Sequence, residues 1–208
     1  MAKLTAIALN CTLKKSGSEP SSTDKMIELI AGYLAKQGVD LTETIRLADF
    51  NIAAGVTSDE GGDDEWPLIR KKILNANILI LGTPIWMGQM SSIAKRVCER
   101  MDAFLSETDD HGRTPAYGKI AICAIVGNED GAHHTAATVF QALNDVGWTI
   151  PAAGACYWVG EAMHKIDFKD LKSVPNVTRE TAKMLASNAA RLAAALDKQP
   201  YAGMSDPK

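Results

Sequence analysis

Asn77-Ile78-Leu79-Ile80-Leu81-Gly82 is the stretch on which the fold turns. Apolar side chains at consecutive positions leave no polar face, the pattern of a strand buried on both sides in a parallel sheet. Leu4–Leu9 reads the same way, Leu41–Leu47 brings the β-branched Thr42, Thr44 and Ile45, and Lys119–Val126 is a further apolar strand. Trp148–Tyr157 supplies a last strand, interrupted by Pro151 and Gly154. Between these runs the period changes to that of helices: Met26, Ile30 and Tyr33; Ile69 and Ile73 after Pro67; Ile93, Val97 and Met101 from near Ser91; Val139, Leu143 and Val146; Leu185, Ala189, Leu192 and Leu196. Ser22, Thr23 or Asp24 can cap the first helix and Gly38 ends it. Five strands alternating with helices specify an α/β domain with a parallel sheet. It is expected over residues 1–198, with a loose tail over 199–208 that holds Pro200, Gly203 and Pro207.

Composition bounds the function. The 208 residues are 46% hydrophobic and 23% charged with a net charge of -3, which excludes disorder and collagen and leaves no basic excess to bind nucleic acid. No apolar run reaches membrane-spanning length, and Met1–Leu9 lacks the features of a secretory signal. The four cysteines form no CxxC pair, so a thioredoxin motif, a zinc ribbon and a compact iron–sulfur cluster are excluded. Cys98 and Cys123 sit in apolar patterns, as reduced core thiols of a cytoplasmic protein do. Residues 51–66 carry clustered carboxylates between glycines and read as a solvated loop, so no metal is expected there.

In an open parallel sheet, ligands bind beyond the carboxyl ends of the strands. Three loops with unusual composition leave such ends. Residues 10–23 are rich in Ser and Thr, carry Lys14 and Lys15, and lead into a helix N-terminus, which suits a phosphate and equally suits an ordinary capped helix. Residues 83–91 place Pro84, Trp86 and Met87 where a polar loop belongs, which calls for a flat ligand, another subunit or core packing. Residues 127–133 begin Gly127-Asn128-Glu129-Asp130-Gly131, glycines that let a ligand approach the backbone or simply make a tight turn. His133 and His134 read as surface residues of a first helical turn, because neighbours on a helix point apart and make a poor metal pair. G-x-G-x-x-G, the G-x-x-x-x-G-K-[ST] phosphate loop, H-E-x-x-H and G-x-S-x-G are all absent. A mononucleotide held by hydroxyls and backbone amides survives these exclusions.

At these loops the sequence resembles the flavodoxin-like NAD(P)H-dependent FMN reductase and quinone reductase superfamily. The run Asn10-Cys11-Thr12 through Ser21-Ser22-Thr23 is similar to its FMN-phosphate loop, although many relatives have Gly-Ser where this chain has Asn10-Cys11. Gly82-Thr83-Pro84-Ile85-Trp86-Met87-Gly88, followed by Ser91-Ser92-Ile93-Ala94-Lys95, resembles its proline-aromatic loop beside the isoalloxazine ring. Gly127–Gly131 resembles the third flavin loop, and Tyr157-Trp158 follows the last strand. The resemblance implies a three-layer, doubly wound flavodoxin-like sheet of five strands in the order 2-1-3-4-5. It also implies one FMN, NADH or NADPH as co-substrate, a small acceptor such as a quinone or flavin, and a homodimer or homotetramer. The FMN-binding residues it implies are Asn10, Thr12, Ser16, Ser22 and Thr23 around the phosphate, with Lys14 or Lys15 adding charge; Pro84, Ile85, Trp86, Met87 and Gly88 along the ring; and Gly127, Asn128, Glu129, Gly131 and Tyr157 at its far side. The flavin would carry the redox chemistry, so no catalytic side chain is named. An FMN electron carrier without NAD(P)H oxidation is the alternative. A flavin-free protein whose Trp86, Trp148, Tyr157 and Trp158 build an interface is a third reading.

Overall fold

The computed structural model describes residues 3–162 and 164–204. The central sheet runs β1 (Thr5–Asn10), β2 (Asp40–Arg46), β3 (Ile78–Trp86), β5 (Ile120–Gly127) and β6 (Ala155–Val159) in the spatial order β2-β1-β3-β5-β6, all parallel. A short β4 (Gln89–Met90) folds back antiparallel on the end of β3. Without that hairpin strand the order is the 2-1-3-4-5 expected from the sequence. The helices are α1 (Ser22–Ala35), α2 (Trp66–Leu74), α3 (Ser92–Arg100), α4 (Ala132–Asp145) and α5 (Asn176–Lys198).

Both faces of the sheet are covered, and residues 77–82 show why their run lacked a polar face. Ile78 and Ile80 enter the core beneath α1 and α5, whereas Leu79 and Leu81 enter the core beneath α2, α3 and α4. All four are fully buried, each burial contributing about 1.5–3 kcal/mol. β5 alternates likewise, Ile122 and Ala124 to one side and Cys123 and Ile125 to the other. The result is the three-layer flavodoxin-like fold.

Two boundaries differ from the sequence reading. The last strand begins at Ala155, because Pro151 and Gly154 hold 148–154 in a loop that meets the sheet through the bridge of Thr149 to Ile120 and the Cys123 amide donating to the Gly154 carbonyl. Residues 199–204 lie against the loop before β5: Tyr201 packs edge-on against Tyr117 at 5.9 Å, and the Met204 amide donates to the His111 carbonyl. Residues 205–208 of the expected tail lie outside the described residues.

The acidic loop 51–65 is pinned rather than merely solvated. Arg100 and Asp64 form a fully buried ion pair at 2.7 Å, and Arg100 also donates to the Thr57 and Ala53 carbonyls. Burial alone would raise the Asp64 carboxyl. Arg100 and the amides of Glu60, Ala53 and Trp66 outweigh it and hold the group well below the usual carboxylate range. Replacing Arg100 by Met should therefore cost about 3–5 kcal/mol in urea unfolding, since it strands a buried charge. Because the folded carboxyl titrates below its unfolded value of about 3.9, the contribution is complete above that pH and is lost as the medium becomes more acid. Urea midpoints of wild type and Arg100→Met that converge below about pH 4 are the expected result.

Candidate functional site

The first loop is closed on itself by two side chains. Asn10, fully buried at the end of β1, accepts the Thr12 amide at 2.9 Å and donates to Ser21 and Asp24. Ser21 caps α1, its hydroxyl accepting the amides of Thr23 and Asp24. These contacts set the N-terminus of α1 beside the end of β1, with the amides and hydroxyls of Ser22 and Thr23 following the cap. Ser16 turns the other way: its amide donates to Asp49 at 2.8 Å and its hydroxyl donates to the same carboxylate. Ser16 hydrogen bonds hold the Asp49 carboxyl below the ordinary range. Lys14 pairs with Glu19, while Arg46 donates to the Lys15 carbonyl and to Asp24.

The second loop is shorter than its composition suggested, because β3 continues through Trp86 before turning. Met87 and Gly88 form a two-residue hairpin between Trp86 and Gln89, both at positive φ (53° and 74°), as this tight turn type demands. Ser91 fixes the loop to its neighbours. Its amide donates to Thr83 Oγ1 at 3.0 Å, and its hydroxyl donates to the Cys11 carbonyl at 2.7 Å while capping α3 at Ala94. Trp86 is 54% exposed and Met87 90% exposed, so the apolar rim projects outward from a rigid base.

The third loop meets the second through glycine. A Cβ on Gly131 would lie 2.6–2.8 Å from the backbone of Gly88, and Gly131 itself holds φ at +121°. Farther back, Asn128 Nδ2 donates to Asp167 at 2.7 Å and the Gly160 amide donates to the Gly127 carbonyl.

Together the three loops and a strap between β6 and α5 enclose a cavity of about 420 Å³ at the carboxyl ends of the strands. Of the expected residues, Thr12, Ser22, Thr23, Pro84, Ile85, Trp86, Met87, Gly127, Asn128 and Glu129 line it, and Lys14 does so as well. Asn10, Ser16, Gly88, Gly131 and Tyr157 are not on its wall. Asn10, Gly88 and Gly131 shape the loops, and Ser16 is engaged with Asp49. Tyr157 faces the opposite side of the sheet, its hydroxyl 3.0 Å from His133 Nε2. Trp158 takes the place on the wall, and Asp167, Phe168 and Lys169 of the strap complete it. The two-residue alternation of a strand puts Tyr157 and Trp158 on opposite faces, so one of the pair had to point away. The strap carries no helical or strand period and gave no signal.

No activated nucleophile is present among the cysteines. All four are free and buried, and burial pushes Cys98 up to about 11 and Cys156 up to about 12, with Cys11 and Cys123 also raised. Among the described residues no cluster of His, Cys, Asp and Glu could hold a metal ion, and no helix is long and apolar enough to cross a membrane.

The cavity has a polar end, made of the Thr12, Ser22 and Thr23 hydroxyls at a helix N-terminus with Lys14 beside them, and an apolar end made of Pro84, Ile85 and Trp86. That polarity fits a phosphate joined to a flat ring system. The Asn128 Oδ1 is buried without a hydrogen-bond partner, packed against Gly160, where an added Cβ would stand 2.7 Å from it. Fold and site thus define a flavodoxin-like domain with a mononucleotide-sized cleft.

The family model of NADPH-dependent FMN reductases matches residues 5–163, and the chain belongs to that family of FMN-using flavin oxidoreductases. The 8-demethyl-8-aminoriboflavin-5'-phosphate synthase of Streptomyces davaonensis is 32% identical over 208 residues, covering 95% of this chain and 80% of the relative. A crystal structure of RosB with the bound intermediate 8-demethyl-8-formylriboflavin-5'-phosphate superposes with a TM-score of 0.86 at 31% identity, covering 96% of this chain and 82% of that one. A protein of Mycobacterium bovis described as the divalent metal cation transporter MntH is 43% identical over 163 residues. That match covers 76% of this chain and 24% of the relative, so this chain spans about a quarter of that protein. An apo NADH:FMN oxidoreductase, EMOB, shares the fold with a TM-score of 0.66 at 16% identity, covering 99% and 97% of the two chains.

Substituting Gly131 by Ala should drive the second and third loops apart, since the new methyl meets backbone rather than a movable side chain. A loss of about 1–3 kcal/mol is expected in chemical unfolding. Retention of full stability would show that the two loops do not depend on this contact.

Proposed function

We propose that the protein is an FMN-dependent NAD(P)H oxidoreductase that moves a hydride from a reduced nicotinamide nucleotide to a small acceptor such as a quinone or a flavin. The observation that carries this reading is the cavity itself, with hydroxyls at a helix N-terminus at one end and Pro84, Ile85 and Trp86 at the other. Ser22 and Thr23 donate to the phosphate, Thr12 and Lys14 stand beside it, and the backbone of 84–88 follows the ring. Asn128 and Glu129 bound the far side. Bound FMN supplies the hydride-accepting and hydride-donating chemistry.

The chain's own part is binding, orientation and access. The three loops are held by Asn10, Ser91 and the contact of Gly131 with Gly88, so the ring's place is fixed before it arrives. The open rim at Trp86 and Met87 leaves room for nicotinamide and acceptor to occupy the same face in turn. In the net reaction the nucleotide leaves oxidised, and a quinone acceptor takes the hydride with one solvent proton and leaves as the hydroquinone. The exposed Leu13, Trp86 and Met87 around the mouth support a homodimer or homotetramer, and the four free buried thiols support a cytoplasmic location.

A second reading treats the flavin phosphate as the molecule transformed. It is favoured by the similarity to RosB, whose TM-score of 0.86 and 31% identity exceed the 0.66 and 16% of the NADH:FMN oxidoreductase.

Anaerobic mixing of the FMN-loaded protein with NADPH, and separately with NADH, tests the first. Rapid loss of flavin absorbance with at least one nucleotide, and recovery of FMN of unchanged mass after reoxidation, is the expected result. Flavin that stays oxidised with either nucleotide contradicts the first reading, and flavin of altered mass recovered after separate aerobic incubation with an amine donor supports the second.

A further inference from the structure

Residues 167–171 are tied to α1 along the whole strap. The Lys169 amide donates to Ser22 Oγ at 3.1 Å, so Lys169 sits over the first residue of the helix. One turn on, Lys25 Nζ donates to the carbonyls of Lys169 at 3.0 Å and Leu171 at 3.2 Å. Between these contacts Phe168 is fully buried, 5.5 Å from the Trp158 ring, with Lys25 above its face. The strap backbone is therefore fixed by contacts that do not involve the Lys169 side chain.

Lys169 lines the cavity, and so does Lys14, which arrives from the first loop. The Lys169 ammonium lies 2.7 Å from Asp170 and 3.7 Å from Asp167, and the Asp170 hydrogen bond holds its proton more firmly than usual. Glu19, on the first loop, is lowered chiefly by Lys14, with the Lys169 charge adding to the effect. Two lysines from separate segments thus border the cavity beside the α1 N-terminus, Lys14 held by Glu19 and Lys169 by Asp167 and Asp170.

A phosphate monoester carries about -1.5 to -2 at pH 7. The helix dipole offers only about +0.5, and hydroxyl donors offer no net charge. We propose that Lys169 gives this phosphate a cationic donor, so that Lys169 makes the site select the 5'-phosphorylated flavin over free riboflavin. This rests on the FMN reading above. Ser22 fits the same arrangement: its oxygen accepts the Lys169 amide, which leaves its own O–H to donate to the phosphate. The carboxylates of Asp167 and Asp170 keep the ammonium in place before the ligand arrives. Riboflavin ends in a neutral hydroxyl at this position and gains nothing from a cation.

The test is a fluorescence titration of wild type, Lys169→Gln and Lys169→Arg with FMN and with riboflavin. In Lys169→Gln the Kd for FMN should rise roughly tenfold or more, equivalent to about 1.4 kcal/mol. The Kd for riboflavin should stay unchanged, and Lys169→Arg should keep FMN affinity near that of wild type. An unchanged FMN Kd in Lys169→Gln overturns the assignment. So does a parallel loss of FMN and riboflavin, which would mean that the lysine only shapes the strap. Wild-type protein that binds neither flavin overturns the FMN reading itself and this inference with it.

Discussion

The position of α1 depends on one missing side chain. A Cβ on Gly82 would stand 2.7 Å from Ile27 Cδ1 and 2.8 Å from Thr23 Cγ2. Without it, the first turn of α1 lies directly on β3, and Thr23, almost fully buried, still borders the cavity. A helix even slightly farther out would carry its N-terminal amides away from the strand ends. The rest follows from strand direction: β1, β3, β5 and β6 run parallel, so their carboxyl ends and the loops that leave them gather on one edge.

Gathered loops make a site only if they keep their shape, and here buried polar contacts hold the first two and close backbone packing holds the third. Asn10 closes the first loop, Ser91 joins the first and second, and the backbone contact of Gly88 with Gly131 joins the second and third. The hydrogen bonds of Asn10 and Ser91 satisfy groups that burial would otherwise leave unpaired. Binding then spends little free energy on ordering the protein. The exposed Met87, at positive φ in the hairpin, marks where this order yields to a rim.

Residues 77–82 disclosed the sheet because a short run that is apolar at every position suits a strand buried on both faces, and the structure places their alternate side chains in two separate cores. The loops were legible for a similar reason: hydroxyls before a helix and a proline-tryptophan run at a strand end are unusual enough to stand out. Periodicity could not say which way a side chain turns once the chain leaves a regular element. Ser16 illustrates this, since its commitment to Asp49 depends on a residue 33 positions away. Tyr157 and Trp158 are adjacent and both aromatic, and only strand register decides that Trp158 meets the cavity. The strap at 167–169 was invisible, because its place is set by contacts to Lys25, Ser22 and Asn128 rather than by a pattern of its own.

The central claim is that flavin mononucleotide occupies the cleft with its phosphate at the α1 N-terminus. A crystal structure of the FMN complex tests it most directly. Phosphate oxygens within hydrogen-bond distance of Ser22 and Thr23, with the ring against Pro84–Trp86, are the expected result. A flavin seated elsewhere, or bound here in the reverse direction with its phosphate toward Trp86, would contradict it.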